Sequence, residues 1–144
     1  MAKVESTIEV ALPPEEAWAK ASDLETLPQW VSLHDGWRSP LPADLAKGVK
    51  LSCVVKVKNF RNRVDWTITT YDPPRALVLD GRGVAGTKYT LTVSIAPSSA
   101  GSTIKLRADL GGPPLFGPIG ATVARALKGD IASSLATYKR MYEH

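Results

Sequence analysis

A chain of 144 residues, 44% hydrophobic and 22% charged, carries enough apolar material for one folded domain and lacks the composition of a disordered chain. Its 18 Lys and Arg stand against 14 Asp and Glu, leaving +4, and the charges alternate instead of forming a block, which argues against a nucleic-acid partner. No apolar run reaches the roughly 18 residues of a membrane span, the start M-A-K-V-E-S-T-I-E-V has no signal-peptide core, and the lone Cys53 has no intrachain partner, so the chain reads as cytoplasmic.

Val4, Ser6, Ile8 and Val10 alternate with Glu5, Thr7 and Glu9, the pattern of a half-buried strand. Pro13 and Pro14 end it, because proline cannot donate to the ladder, and one of them opens a helix with Glu15 and Glu16 at its positive end. Ala17, Trp18 and Ala21 give that helix a short apolar face. Asp23 caps a second small turn, L-E-T-L-P-Q-W. A short strand is expected around Leu33 to Arg38, then a loop through S-P-L-P-A-D-L-A-K-G. Val49, Leu51, Cys53, Val55 and Val57 alternate with polar or outward residues as a strand with one wet face. N-F-R-N reads as a turn, followed by a strand with Val64, Trp66, Ile68 and Thr70 on one side, ended by D-P-P. Ala76 to Asp80 is the next strand, and G-R-G-V-A-G is a turn. Two more alternating runs carry Tyr89, Leu91, Val93 and Ile95, then Ile104, Leu106, Ala108 and Leu110.

The longest pattern comes last. After G-G-P-P-L-F-G-P-I-G, the residues Phe116, Ile119, Val123, Leu127, Ile131, Leu135 and Tyr138 recur at steps of three and four. They form one stripe of an amphipathic helix from about Leu115 to Tyr142, roughly 40 Å long. Short turns between consecutive strands predict an antiparallel meander. The economical packing is an α+β helix-grip fold: a curved antiparallel sheet of about seven strands wrapped around the C-terminal helix, with two short helices after the first strand.

The order of elements and several local runs resemble the START-like superfamily, also called Bet v 1-like or SRPBCC. Within it the chain is similar to the polyketide cyclase/dehydrase and lipid-transport branch in its actinobacterial form. The resemblance rests on I-E-V-A-L-P-P-E-E-A-W-A-K-A-S-D-L with Trp30 just beyond, on W-T-I-T-T-Y-D-P-P-R-A-L-V-L-D-G, and on L-G-G-P-P-L-F-G-P-I-G. It covers the whole chain as a single domain, residues 1–144. It implies a hydrophobic cavity between sheet and long helix, and no single chemistry, because this fold hosts carriers, cyclases and regulators. Some actinobacterial relatives of this kind are labelled toxin components of toxin–antitoxin pairs.

Groups able to do chemistry are few. The histidines are His34 and His144, so a multi-histidine metal site has little to draw on, and one cysteine rules out a Cys-rich zinc site. No nucleotide fingerprint is present, since G-R-G-V-A-G lies between strands with no helix following. No cofactor is expected. His34 and Asp35 read either as an acid/base pair at a cavity mouth, able to act on an enolisable carbonyl, or more plainly as a polar pair at a strand end. Tyr89 is a third candidate for acid/base work. Cys53, among Leu51 and Val55, reads as an inert core thiol. The basic run from Lys56 to Arg63 reads as an exposed hairpin tip.

A ligand wall is expected from Trp30, Trp37, Cys53, Val55, Trp66, Ile68, Tyr89, Leu91 and Leu106, and from the helix residues Phe116, Ile119, Val123, Leu127 and Ile131. Aromatic side chains on a concave sheet either stack on a flat ligand or fill the space themselves. The favoured reading is a monomeric carrier of a small hydrophobic or aromatic molecule, such as a lipid or polyketide, with no nucleic acid and no stable membrane insertion. An aromatase/cyclase and a regulatory or toxin–antitoxin-type interaction protein are the alternatives. A pocket of roughly 300–1,000 Å³ would favour binding or catalysis, and a filled core an interaction role.

Overall fold

In the computed structural model β1 (Ala2–Val10) is followed by α1 (Pro14–Ala21), α2 (Leu27–Trp30) and β2 (His34–Trp37). Then come β3 (Lys50–Val57), β4 (Phe60–Asp72), β5 (Ala76–Arg82), a 3₁₀ turn at Val84–Gly86, β6 (Lys88–Ser98), β7 (Gly101–Gly111) and α3 (Pro118–Tyr142). The structure describes residues 2–57, 60–113 and 118–143, without the side chains of Ala2, Phe60 and Ile119. The expected turn residue Asn59, the helix start at Leu115, the lining residue Phe116 and the side chain of Ile119 therefore lie outside it.

All seven strands form one antiparallel sheet in the order β1-β7-β6-β5-β4-β3-β2. Strands two to seven are the expected meander, and β1 joins its far edge through Ala2↔Leu110 to Val10↔Ser102. The concave face is apolar because each strand turns every second residue inward. Cys53, Val55 and Val57 of β3, Val64, Trp66 and Ile68 of β4, and Leu91, Val93 and Ile95 of β6 are buried on it.

α3 lies in this curl. Val123, Leu127, Ile131, Leu135 and Tyr138 are its buried stripe, each contributing roughly 1.5–3 kcal/mol on burial. The Tyr138 hydroxyl donates to the Ala17 carbonyl at 2.7 Å, which joins α3 to α1. At the far end Glu143 accepts from the Ala11 backbone N–H at 2.7 Å. Pro14 opens α1, Glu15 and Glu16 occupy its first turn, and Ala17, Trp18 and Ala21 are its buried face. Among the described residues no helix is long and apolar enough to cross a membrane.

Three of the differences from the sequence reading have a local reason. β4 begins at Phe60 and not at Val64, because Val57 pairs directly with Phe60 across the hairpin. Arg61, Asn62 and Arg63 are thus strand residues, and the alternation turns Arg61 and Arg63 out to solvent. In the same strand a bulge between Ile68 and Thr70 shifts the register. One extra residue flips the phase of everything after it, so Thr70 is exposed and Tyr71 takes the inward place, its ring 6.0 Å from Trp18. Finally, Gly81 and Arg82 extend β5 where a turn was expected.

Candidate functional site

The row of residues facing one another across the sheet runs Leu51, Trp66, Gly81, Tyr89, Leu110. Gly81 separates the two rings, and a Cβ there would stand 2.7 Å from Val64 Cγ1 and 2.8 Å from Trp66 Cε3. The missing side chain leaves room for Trp66 and Tyr89 to tilt together, centroids 5.9 Å apart. Cys53 faces Val64 across the ladder, which makes Trp66 its diagonal neighbour. The Trp66 indole N–H donates to Cys53 Sγ at 3.1 Å. Burial pushes the Cys53 thiol up to about 11, against a smaller opposing pull from that N–H. Cys53 is thus a protonated thiol at neutral pH.

Tyr89 is buried, and its hydroxyl accepts from Asn62 Nδ2 at 2.9 Å. Burial raises its pKa above the ordinary phenol value. Asn62 is a residue the sequence reading left in a turn. Counting back by twos from Trp66 through Val64 would have placed it on the inward face.

Beside this row lies an apolar cavity. Leu27, Val31 and Leu33 wall it on the side of α2, His34 and Trp37 from β2, Cys53 and Val55 from β3, Trp66 from β4, Leu79 from β5 and Leu91 from β6. Its volume is about 20 Å³, room for about one water molecule. That is far below the expected ligand pocket, because the aromatic and leucine side chains fill most of the concave space themselves. Of the residues read from sequence as a ligand wall, Trp37, Cys53, Val55, Trp66 and Leu91 meet here, joined by His34. Ile68, Leu106, Val123, Leu127 and Ile131 are buried in the packed core elsewhere. Trp30 stacks edge-on against Tyr138 at 5.0 Å, between α2 and α3. Leu27, Val31, Leu33 and Leu79 are lining residues that sequence reasoning did not single out.

Among the described residues no hydrogen bond joins His34 to Asp35. Asp35 is exposed and pairs with Arg61 at 2.6 Å. His34 sits edge-on to Trp37, ring centroids 4.4 Å apart, and its Nδ1 accepts the Gly36 backbone N–H at 3.1 Å. Its Nε2 is shielded from solvent and has no hydrogen-bond partner among the described residues. Leaving a buried polar group unmatched costs about 1–3 kcal/mol. Desolvation brings the imidazole down to about 4, with nearby Asp35 pulling it up and Arg38 pushing it down by smaller amounts. The ring is neutral at pH 7.

The α2 wall is fastened to α3 through Ser32. Its backbone N–H donates to Ser134 Oγ at 2.9 Å, and its hydroxyl donates to the Asp130 carbonyl at 3.0 Å. On the β2 side the Trp37 indole N–H donates to the Leu24 carbonyl at 2.7 Å. Among the described residues no three His, Cys, Asp or Glu side chains gather as a metal ion would require.

A curved antiparallel sheet closed on a long C-terminal helix, with an apolar cavity on its concave side, defines a helix-grip protein. The chain belongs to the family described as polyketide cyclase/dehydrase and lipid transport, whose model matches residues 1–143. It is 46% identical over 142 residues to a Mycobacterium tuberculosis protein named a toxin, covering 99% of each chain. A second Mycobacterium tuberculosis protein, which bears the name uncharacterized protein, is 42% identical over 142 residues with the same coverage. Among solved structures, a START superfamily protein from Mycobacterium smegmatis superposes with a TM-score of 0.75 at 19% identity, covering 98% of this chain and 99% of that one. A Thermus thermophilus protein gives a TM-score of 0.77 at 17% identity, covering 96% and 94%. These two likenesses bear on the fold alone.

Proposed function

We propose that this protein binds a small hydrophobic molecule on the concave side of its sheet, beneath α2, as a monomeric cytoplasmic carrier. The observation that carries the reading is the build of the cavity. Five strands present apolar and aromatic side chains to it, while its opposite wall is one helical turn and the three residues after it. In binding, that short wall is the part displaced, and the Ser32 bonds to α3 break as it moves. Full exposure of Leu27, Val31 and Leu33 would cost roughly 5–9 kcal/mol, comparable to the whole stability of a domain. A ligand therefore enters as that wall moves, covering the same side chains that it uncovers, and the small cavity is the closed state. The family description, which joins cyclases with lipid transport, agrees with an apolar cargo.

Titration with N-phenyl-1-naphthylamine, a neutral apolar dye, tests this. Saturable dye fluorescence with energy transfer from tryptophan is expected. Absence of saturable binding, in the wild type and in a variant with a loosened α2 wall such as Ser134→Ala, would contradict it.

A second reading, an interaction role, is the one a nearly filled concave space favours, and the 46%-identical relative named a toxin suggests its form. It predicts growth arrest on overexpression, relieved by the product of an adjacent reading frame. Unimpaired growth at high expression would remove it.

A further inference from the structure

The β3–β4 and β5–β6 connections lie at the same end of the sheet, because consecutive antiparallel strands reverse direction. Cations gather on the outward face there. Lys56 stands opposite Arg61, with Arg63 two residues further along β4. Arg82 stands opposite Lys88. Both pairs are exposed. Like charges directly opposite one another destabilise a sheet, yet two such pairs sit at this one end. Nearby carboxylates relieve them only in part. Asp35 takes Arg61 at 2.6 Å, Asp65 lies 3.9 Å from Arg63, and Asp80 lies 3.6 Å from Arg82. Lys56 and Lys88 enter no ion pair among the described residues.

Between Arg82 and Lys88 the 3₁₀ turn presents an apolar tip. Val84 is the exposed large hydrophobic side chain among the described residues, 57% accessible. The turn beneath it is braced: the Gly83 N–H donates to the Thr87 carbonyl at 2.9 Å, and the Thr87 hydroxyl donates to the Val84 carbonyl at 2.7 Å. Beside it a groove of about 590 Å³ opens between Lys3, Arg82, Lys88 and Pro113, and its carboxylates Asp80 and Asp109 are matched to Arg82 and Arg107. An apolar tip flanked by cations fits a bilayer with anionic headgroups, where the cations meet lipid phosphates and carboxylates and the valine enters the boundary with the acyl chains. A protein partner would call for a broader apolar centre than one valine supplies. We propose that this end of the sheet docks reversibly on an anionic lipid surface, with Val84 among the headgroups, Arg82 and Lys88 beside it, and Lys56, Arg61 and Arg63 along the neighbouring hairpin. The contact uses the outer face and is independent of any ligand beneath α2.

Flotation with phosphatidylcholine vesicles, with and without about 30% phosphatidylserine, tests this at about 0.1 M salt. Binding is expected to the anionic vesicles alone, and it should weaken as salt rises. Lys56→Gln and Lys88→Gln should each lower it about fivefold, and Val84→Ser by a similar factor. Lys105→Gln removes the same charge from an exposed site further down β7, and should change binding less than about twofold. In the wild type, a spin-labelled lipid should broaden the amide signals of Val84 and Arg61 and spare Ser98 in the turn at the opposite end. If a variant does not fold, this broadening pattern decides. No flotation, equal binding to neutral vesicles, equal weakening by Lys105→Gln, or broadening at Ser98 in place of Val84 would overturn the proposal. Capture of polyglutamate without vesicle binding would also overturn it, and would give this face to an acidic protein. Naphthylamine binding reads the cavity separately, so either reading can fail alone.

Discussion

Burial dominates the surroundings of His34, and it sets a sign for the pH dependence of stability. The folded ring titrates near 4, against 6.5 for a free histidine. Between those values the unfolded chain takes up a proton that the folded chain refuses, so this contribution is complete above pH 6.5 and is lost as pH falls toward 4. Asp35 opposes the shift and Arg38 adds to it, while the Cys53 thiol stays protonated across the window. Urea unfolding should therefore show the wild type losing stability relative to His34→Gln as pH drops from 6.5 to 4. Parallel profiles would mean that the ring is hydrated. Gly81 makes a second residue-scale prediction. A methyl group there meets Val64 and the Trp66 ring, and overpacking of this kind costs about 1–3 kcal/mol. Gly81→Ala should lose that much stability and shift the tryptophan emission, and an unchanged melting point would refute the close approach.

Among the elements, α3 anchors the fold through its buried stripe, and the proposed binding requires the α2 segment to move. Leu127 is fully buried on α3, so Leu127→Ala should cost about 2–5 kcal/mol. A loss below 1 kcal/mol would mean that the helix is loosely seated. Ser134 receives the Ser32 N–H, a bond worth roughly 0.5–1.5 kcal/mol net. Ser134→Ala should speed hydrogen exchange at the Ser32 amide while leaving the exchange of β6 and β7 as it was. Equal exchange in both proteins would show that this bond does not hold the wall. The elements themselves were legible from sequence because period-two and period-3.6 apolar patterns report directly which face is buried. The register break in β4 was not. The residues around Thr69 look like a continuous alternation, and only pairing with β5 shows that one residue bulges out. The extension of β5 was hidden because a glycine that makes room for a ring looks the same in sequence as a glycine that makes a turn.

For the whole molecule, an apolar concave face and the scarcity of catalytic groups could be read from the chain. Which apolar residues border space, and which fill it, could not. Trp66 and Ile68 share a strand face, yet Trp66 borders the cavity and Ile68 is sealed in the core. The division depends on where α3 and α2 come to rest, which no single strand encodes. Trp37 and Trp66 line the cavity, while Trp18 packs against Tyr71 and is not among its lining residues. The three indoles thus serve as internal reporters. The most direct test is an ¹H–¹⁵N spectrum of the indole signals during titration with N-phenyl-1-naphthylamine. Binding beneath α2 predicts saturable shifts at Trp37 and Trp66, with Trp18 unmoved. Shifts at Trp18 alone, or no saturable shift at any indole, would contradict the account.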